Sequence, residues 1–297
     1  MAEPGAGPTV LRILLGAQLR RLREERNVTR EDAGYAIRSS ESKISRLELG
    51  RVGFKERDVA DLLSLYGVDD VDERDALLSL AREANQPGWW QRYGDILPNW
   101  FQAYVGLEAA ASLIRTYEVQ FIPGLLQTED YARAVVMLGH ANEPPEEIDR
   151  RVALRMARQQ VLNRANPPKF WAILDEAVLR RPIGGPGTMR GQLEHLAKIA
   201  ELSNVTLQVI PFGFGGHAAA GGAFTLLRFP DQTLPDVVYI EQLTSALYLD
   251  KREDVDTYLE AMERLSVEAD TPARSSDRFI EIRNDLNDAG AAPRRRR

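Results

Sequence analysis

The sequence predicts a mainly α chain, α+β overall, with an N-terminal domain of five helices and a C-terminal α+β domain holding one small sheet. Three observations predict it. Leu11, Leu15, Leu19 and Leu22 recur at i, i+4, i+8 and i+11, which lines one face of a helix. The stretch Thr29–Gly50, TREDAGYAIRSSESKISRLELG, reads as two short helices joined by a tight turn. From Lys169 the texture changes to β-rich apolar runs bounded by Gly, Pro and Asp: KFWAILD, VTLQVIPF, AFTLLRFP and DVVYIEQL.

In chain order, residues 1–8 are Gly/Pro-rich and expected to be disordered. The first domain then spans 9–84. Thr29 is the expected N-cap of its second helix, with Glu31 and Asp32 where the helix dipole favours negative charge. The third helix should begin at Ser40 or Ser42 and stop at Gly50. Val59, Leu62, Leu63 and Tyr66 mark a fourth helix, and Leu77, Leu80, Ala81 and Ala84 a fifth. Residues 85–99 break periodicity with Pro, Gly and two Trp, and read as a partly packed linker. Residues 100–290 form the second domain. It should open with a helix from about Trp100 to Glu118, because Leu107, Ala111, Ile114 and Glu118 are helically spaced. Later helices are expected after Thr128, after Pro144–Pro145, around Leu193–Ala200 and over SSDRFIEIRNDLN. Residues 291–297 are a basic tail, read as a solvated end that adds at most non-specific phosphate affinity.

On the third helix Ile44 and Leu47 turn inward, which leaves Glu41, Ser42, Lys43, Ser45 and Arg46 outside. A helix presenting Ser, Lys and Arg from its first turns has what major-groove docking requires. Here the sequence resembles the XRE/Cro/C1-type repressors, through LGAQLRRLREERNVT, SESKISRLELG and the amphipathic helix that follows. The resemblance implies a lambda-repressor-like helix-turn-helix domain that binds double-stranded DNA as a homodimer. On that reading Ser40, Glu41, Ser42, Lys43, Ser45 and Arg46 carry base and phosphate contacts, with Arg30 and Arg51 on the backbone. It also implies a first-helix Arg, Arg20 or Arg23, paired with Glu48; the alternative is a solvated charge face. Two positions depart from the pattern. Arg30 stands where the family usually has Gln, and the turn carries Arg38 and Ser39 in place of Gly and an apolar residue. If that turn needs φ > 0, Arg38 costs on the order of 1 kcal/mol.

Charge agrees with this assignment only when read locally. From Thr9 to Asp58 twelve Arg and Lys outnumber eight Asp and Glu, so the segment carries +4. The whole chain carries −6, which leaves −10 on the rest. A basic module on an acidic body is expected where one end alone meets phosphate. The absence of cysteine excludes disulfides and thiol chemistry and suits a cytoplasmic setting. No apolar run reaches the length of a membrane span.

GWWQRYGD, LEAAASLIRTYE, FIPGLLQTEDYARA, LQVIPF and VVYIEQLTSALYLD are similar to the C-terminal domain, of unknown function, found behind this module in many actinobacterial regulators. That resemblance implies a transcription regulator, often encoded beside a small protein partner in developmental or antitoxin-like pairs. It supplies no ligand. The residues themselves offer the Gly-rich stretch PFGFGGHAAAGG (211–222) as a loop over a pocket for a small-molecule effector or partner, with Phe212, His217, Tyr239, Glu241 and Tyr248 as its candidate contacts; the alternative is a long Gly-rich β connection in which His217 is a surface residue. Gly213, Gly215 and Ala218 match a dinucleotide fingerprint, but the strand-like AFTLLRF leaves no room for the helix that motif needs. His140, His195 and His217 lack metal spacing, and no nucleophile motif occurs, so neither a catalytic site nor a metal or cofactor is expected.

Overall fold

A computed structural model describes residues 8–86, 88–219, 221–230 and 235–291. Residues 1–7 of the expected disordered start and 292–297 of the basic tail lie outside the described residues, and Pro8 already belongs to a helix. Among those described, no helix is long and apolar enough to cross a membrane. The chain forms two compact units, one built from the residues up to Ala110 and the other from Ala111–Pro230 with the chain after Pro235.

The first unit holds α1 (Pro8–Glu25), α2 (Arg30–Ala36), α3 (Glu41–Glu48), α4 (Glu56–Leu65) and α5 (Val71–Ala84). Leu11, Leu15, Leu19 and Leu22 are buried together with Ile44, Leu47, Leu62 and Tyr66, so the apolar stripe of α1 does form the core. The linker segment is more folded than its composition predicts. Trp89–Tyr93 makes a 3-10 turn that buries Trp90 and Tyr93. The following helix, α6 (Asn99–Ala110), packs on α1 within this same unit.

The helix expected to run to Glu118 therefore ends early. Leu113–Glu118 is a strand, β1, paired on both sides. Helical spacing of Ile114 and Glu118 was compatible with either state, and LIRTYE is rich in strand formers that two neighbouring strands can hold. Next come α7 (Glu129–His140), α8 (Pro145–Gln159), β2 (Lys169–Asp175), α9 (Glu176–Arg180), α10 (Pro186–Ile199), β3 (Val205–Ile210), β4 (Phe224–Arg228), β5 (Val237–Glu241), β6 (Ala246–Leu249), α11 (Arg252–Glu268) and α12 (Pro272–Ala291). Thr128 caps α7 as expected, its hydroxyl accepting from Tyr131 N–H.

The six strands form one sheet in the order β3-β2-β1-β4-β5-β6, larger than the small sheet anticipated. β1, β2 and β3 are parallel, whereas β4, β5 and β6 join antiparallel. One face carries Tyr117, Ile173, Phe224, Leu226 and Val238, packed against Val255, Met262 and Leu265 of α11.

Candidate nucleic-acid interface

The two short helices of the first unit are built by local chemistry. Thr29 Oγ1 accepts from Asp32 N–H at 3.0 Å and caps α2. Ser40 Oγ accepts from Lys43 N–H at 3.3 Å and caps α3. Between them Arg38 takes φ 53°, so the turn does place a non-glycine residue in the left-handed region. Gly50 stops α3 with φ 63°, and a Cβ there would lie 2.7 Å from the Ile13 nitrogen. Gly16 of α1 likewise faces Leu47 O, where a Cβ would stand at 2.5 Å. The end of α3 thus rests directly on the backbone of α1, which sets the angle at which its other face is presented.

Three helices are clamped by one carboxylate. Glu48, its side chain 2% exposed, accepts from Arg23 Nε at 2.5 Å and Arg23 Nη2 at 3.1 Å. Arg30 Nε donates at 3.0 Å to Oε2, the oxygen that also accepts from Arg23 Nη2. Of the two arginines that the family resemblance offered for this pairing, Arg23 makes it, and Arg20 lies outside in an i,i+4 pair with Glu24. The Glu48 bond is the main reason that the Arg23 guanidinium is held above its ordinary pKa. Arg30 remains about a third exposed. Its Nε is spent on Glu48, so its terminal nitrogens are aimed rather than loose.

With Ile44 and Leu47 inward, Ser42 and Arg46 are exposed and Ser45 is half-buried. Ser40 and Glu41 are exposed at the start of α3, and Arg51 is half-buried just beyond Gly50. Lys43 departs from the expected outward set. Its Nζ lies 2.7 Å from Oδ2 of Asp58, a buried acid at the start of α4. Sequence reasoning passed over Asp58 because an acid in a first helical turn ordinarily reads as a dipole partner. It also passed over Tyr35, 87% exposed on the last turn of α2. An aromatic off the buried Ala33–Ile37 face was the available signal.

The residues proposed for a ligand in the second unit do not come together. Paired strand residues share a face, so the register Thr116–Thr225–Tyr239–Tyr248 places both tyrosines, and Glu241 two residues on, on one side of the sheet. His217 is on the other side. Its Nδ1 accepts from Ala219 N–H at 3.3 Å, which leaves Nε2 to donate to Tyr117 Oη at 2.9 Å. Asp175 Oδ2 lies 4.0 Å from the same nitrogen. Burial, and then Asp175, hold the Tyr117 hydroxyl well above its usual pKa. Phe212 stays with His217 in the Gly-rich stretch, exposed, its N–H donating to Glu176 Oε2 at 2.9 Å. The stretch runs into β4 rather than a helix. Period-two alternation, invisible without the strand register, separates the two groups.

Among the described residues no group of three or more His, Asp and Glu is placed to hold a metal ion. Two family models match the chain. A helix-turn-helix domain matches residues 14–77, and a domain of unknown function (DUF5753) matches residues 101–281. Nothing matches among curated proteins or among solved structures. The second match covers more than half of the chain, so the protein belongs to the family of that domain of unknown function, DUF5753, with a helix-turn-helix domain at its N-terminus.

Proposed function

We propose that the protein is a cytoplasmic, sequence-specific transcription regulator that docks α3 in the major groove of an operator. It acts as a homodimer, with two recognition helices entering successive major grooves about 34 Å apart. The observation that carries this reading is the outer face of α3. Its capped N-terminus, Ser42 and Arg46 are presented to solvent while the opposite face is fixed on α1. Ser42, Ser45 and Arg46 take base edges and adjacent phosphates, Ser40 and Glu41 flank them, and Arg30 and Arg51 lie on the backbone. Lys43 remains partly exposed and contributes field, its ammonium tied to Asp58. The second domain dimerises and receives a small-molecule or protein signal. Arg46→Ala should weaken operator binding by about 1–3 kcal/mol, or roughly fivefold to 150-fold, measured by fluorescence anisotropy at fixed salt. Unchanged affinity would mean that the recognition face is misassigned.

A second reading, an antitoxin-like protein that sequesters a small partner and uses DNA binding for autoregulation, draws on the edge of the sheet. β6 is an edge strand with Leu247 half exposed, and Leu243 in the preceding turn is fully exposed. Unpaired strand edges with apolar side chains recruit further strands. The double change Leu243→Asp, Leu247→Asp should abolish co-purification of a small protein encoded beside this chain while leaving operator affinity intact. If no such protein co-purifies with the unaltered chain, this reading fails.

A further inference from the structure

Arg30 and Lys43 are each held by a buried carboxylate, but at different points of the side chain. Arg30 Nε donates to Glu48 Oε2 at 3.0 Å. A guanidinium gripped at Nε keeps its two terminal nitrogens for a second partner. Lys43 carries its charge on a single nitrogen, and that nitrogen lies 2.7 Å from Asp58 Oδ2. The pairing therefore takes up the very charge that a phosphate would meet.

The helix sets which way the Lys43 side chain could go. Ile44, Leu47 and Glu48 mark the buried side of α3, and the exposed Ser42 and Arg46 the side away from it. With about 3.6 residues per turn, Lys43 falls on the flank between the two, one turn before Arg46. From that flank a flexible stem can reach outward beside Arg46 or back toward α4. It goes back. Asp58, in the first turn of α4, has a side chain 5% exposed, and that of Lys43 is 26% exposed. An enclosed carboxylate left without its cation costs the desolvation of an unpaired charge, so a phosphate competing for Lys43 must offset that cost. Arg57 is also near Asp58, but its Nη2 is 3.8 Å from Oδ1, too far for a hydrogen bond, and its side chain is 70% exposed.

We propose that Asp58 is a positioning residue that withholds Lys43 from the DNA backbone, so that α3 meets a duplex with one phosphate contact fewer than its sequence offers. Phosphate contacts add affinity without regard to sequence. Asp58 lowers that part of the affinity and leaves base reading to Ser42 and Arg46. The effect on DNA rests on the reading of α3 as the helix that enters the groove.

The test uses the full chain and two duplexes, one selected from a random library by the unaltered protein and one of the same composition with its sequence scrambled. Affinity for each is measured by fluorescence anisotropy over a series of salt concentrations. Each phosphate contact contributes about 0.9 to the slope of log affinity against log salt. Asp58→Asn keeps the shape of the side chain and removes its charge. It should tighten binding to the scrambled duplex by about threefold to tenfold at low salt and steepen the slope by about 0.9. In a Lys43→Met background the same change should do neither. Lys43→Met by itself should weaken binding through its lost field without flattening the slope by a whole contact, and this arm decides the matter if Asp58→Asn does not fold. Asp58 loses the proposed role if Asp58→Asn folds and leaves the slope unchanged. It loses it too if the steepening survives in the Lys43→Met background, which would assign the effect to Arg57 or to net charge. Flattening by about 0.9 in Lys43→Met would mean that Lys43 already sits on a phosphate. If selection enriches no sequence, the regulator reading falls, and the slopes on the scrambled duplex still decide the role of Asp58. If the unaltered chain binds neither duplex, both fall.

Discussion

The helix-turn-helix unit and the second unit handle enclosed charge in different ways. In the first unit Glu48 is gripped by Arg23 and Arg30, and Asp58 by Lys43. In the second unit, Glu118 of β1 takes its hydrogen bond from the Thr116 hydroxyl and Arg155 of α8 donates to the Gln127 amide, with Glu241 within electrostatic reach of Arg155. The cost of taking charge out of water is offset in the first case by ion pairs and in the second by hydrogen bonds to neutral groups. Paired charge locks helices into one geometry, which suits a rigid reading head.

The largest test of that contrast removes the clamp. Glu48→Ala takes the buried carboxylate from the enclosed Arg23 and leaves it the exposed Glu24, 3.3 Å away, and should destabilise the first unit by about 3–5 kcal/mol in urea denaturation. A loss below about 1 kcal/mol would mean that the pair is not what fixes α1 on α3.

Glu118→Gln should act in the other direction and depend on pH. A carboxyl whose pKa is raised from its ordinary value of 4.5 to about 8 binds its proton more tightly in the folded state. Native stability therefore falls as pH rises from the unfolded value to the folded one, and stays level above it. The variant should match the parent near pH 4 and exceed it by on the order of 1–3 kcal/mol near pH 8, a range set below the full linkage value because the group is partly wetted. Parallel stability curves across that window would show Glu118 to be ordinarily solvated.

The smallest effect belongs to the turn. Arg38→Gly relieves a left-handed residue and should stabilise the first unit by about 0.5–1 kcal/mol. If the variant is less stable, the Arg38 side chain holds the turn by contacts that outweigh its backbone cost.

Much of the reading head was legible in the residues. The hydroxyls of Thr29 and Ser40 at helix starts, the glycine after Leu49 and the Leu stripe of α1 all act within a few residues of themselves. Four of the strands were legible for the same reason, as apolar runs between turn formers. The interior partner of Lys43 was not, because Asp58 is fifteen residues away and reads by itself as an ordinary helix-start acid.

What the sequence by itself determined is the caps and helices of the first unit and the inward side of α3, since caps and helical periodicity depend on near neighbours alone. Tertiary structure alone decided that Leu113–Glu118 became the strand between β2 and β4, that His217 faces Tyr117 rather than Tyr239, and that burial raises the Glu118 carboxyl. The physical reason is register. A strand's side chains alternate, so which residues meet across a sheet depends on a pairing that only distant segments can supply.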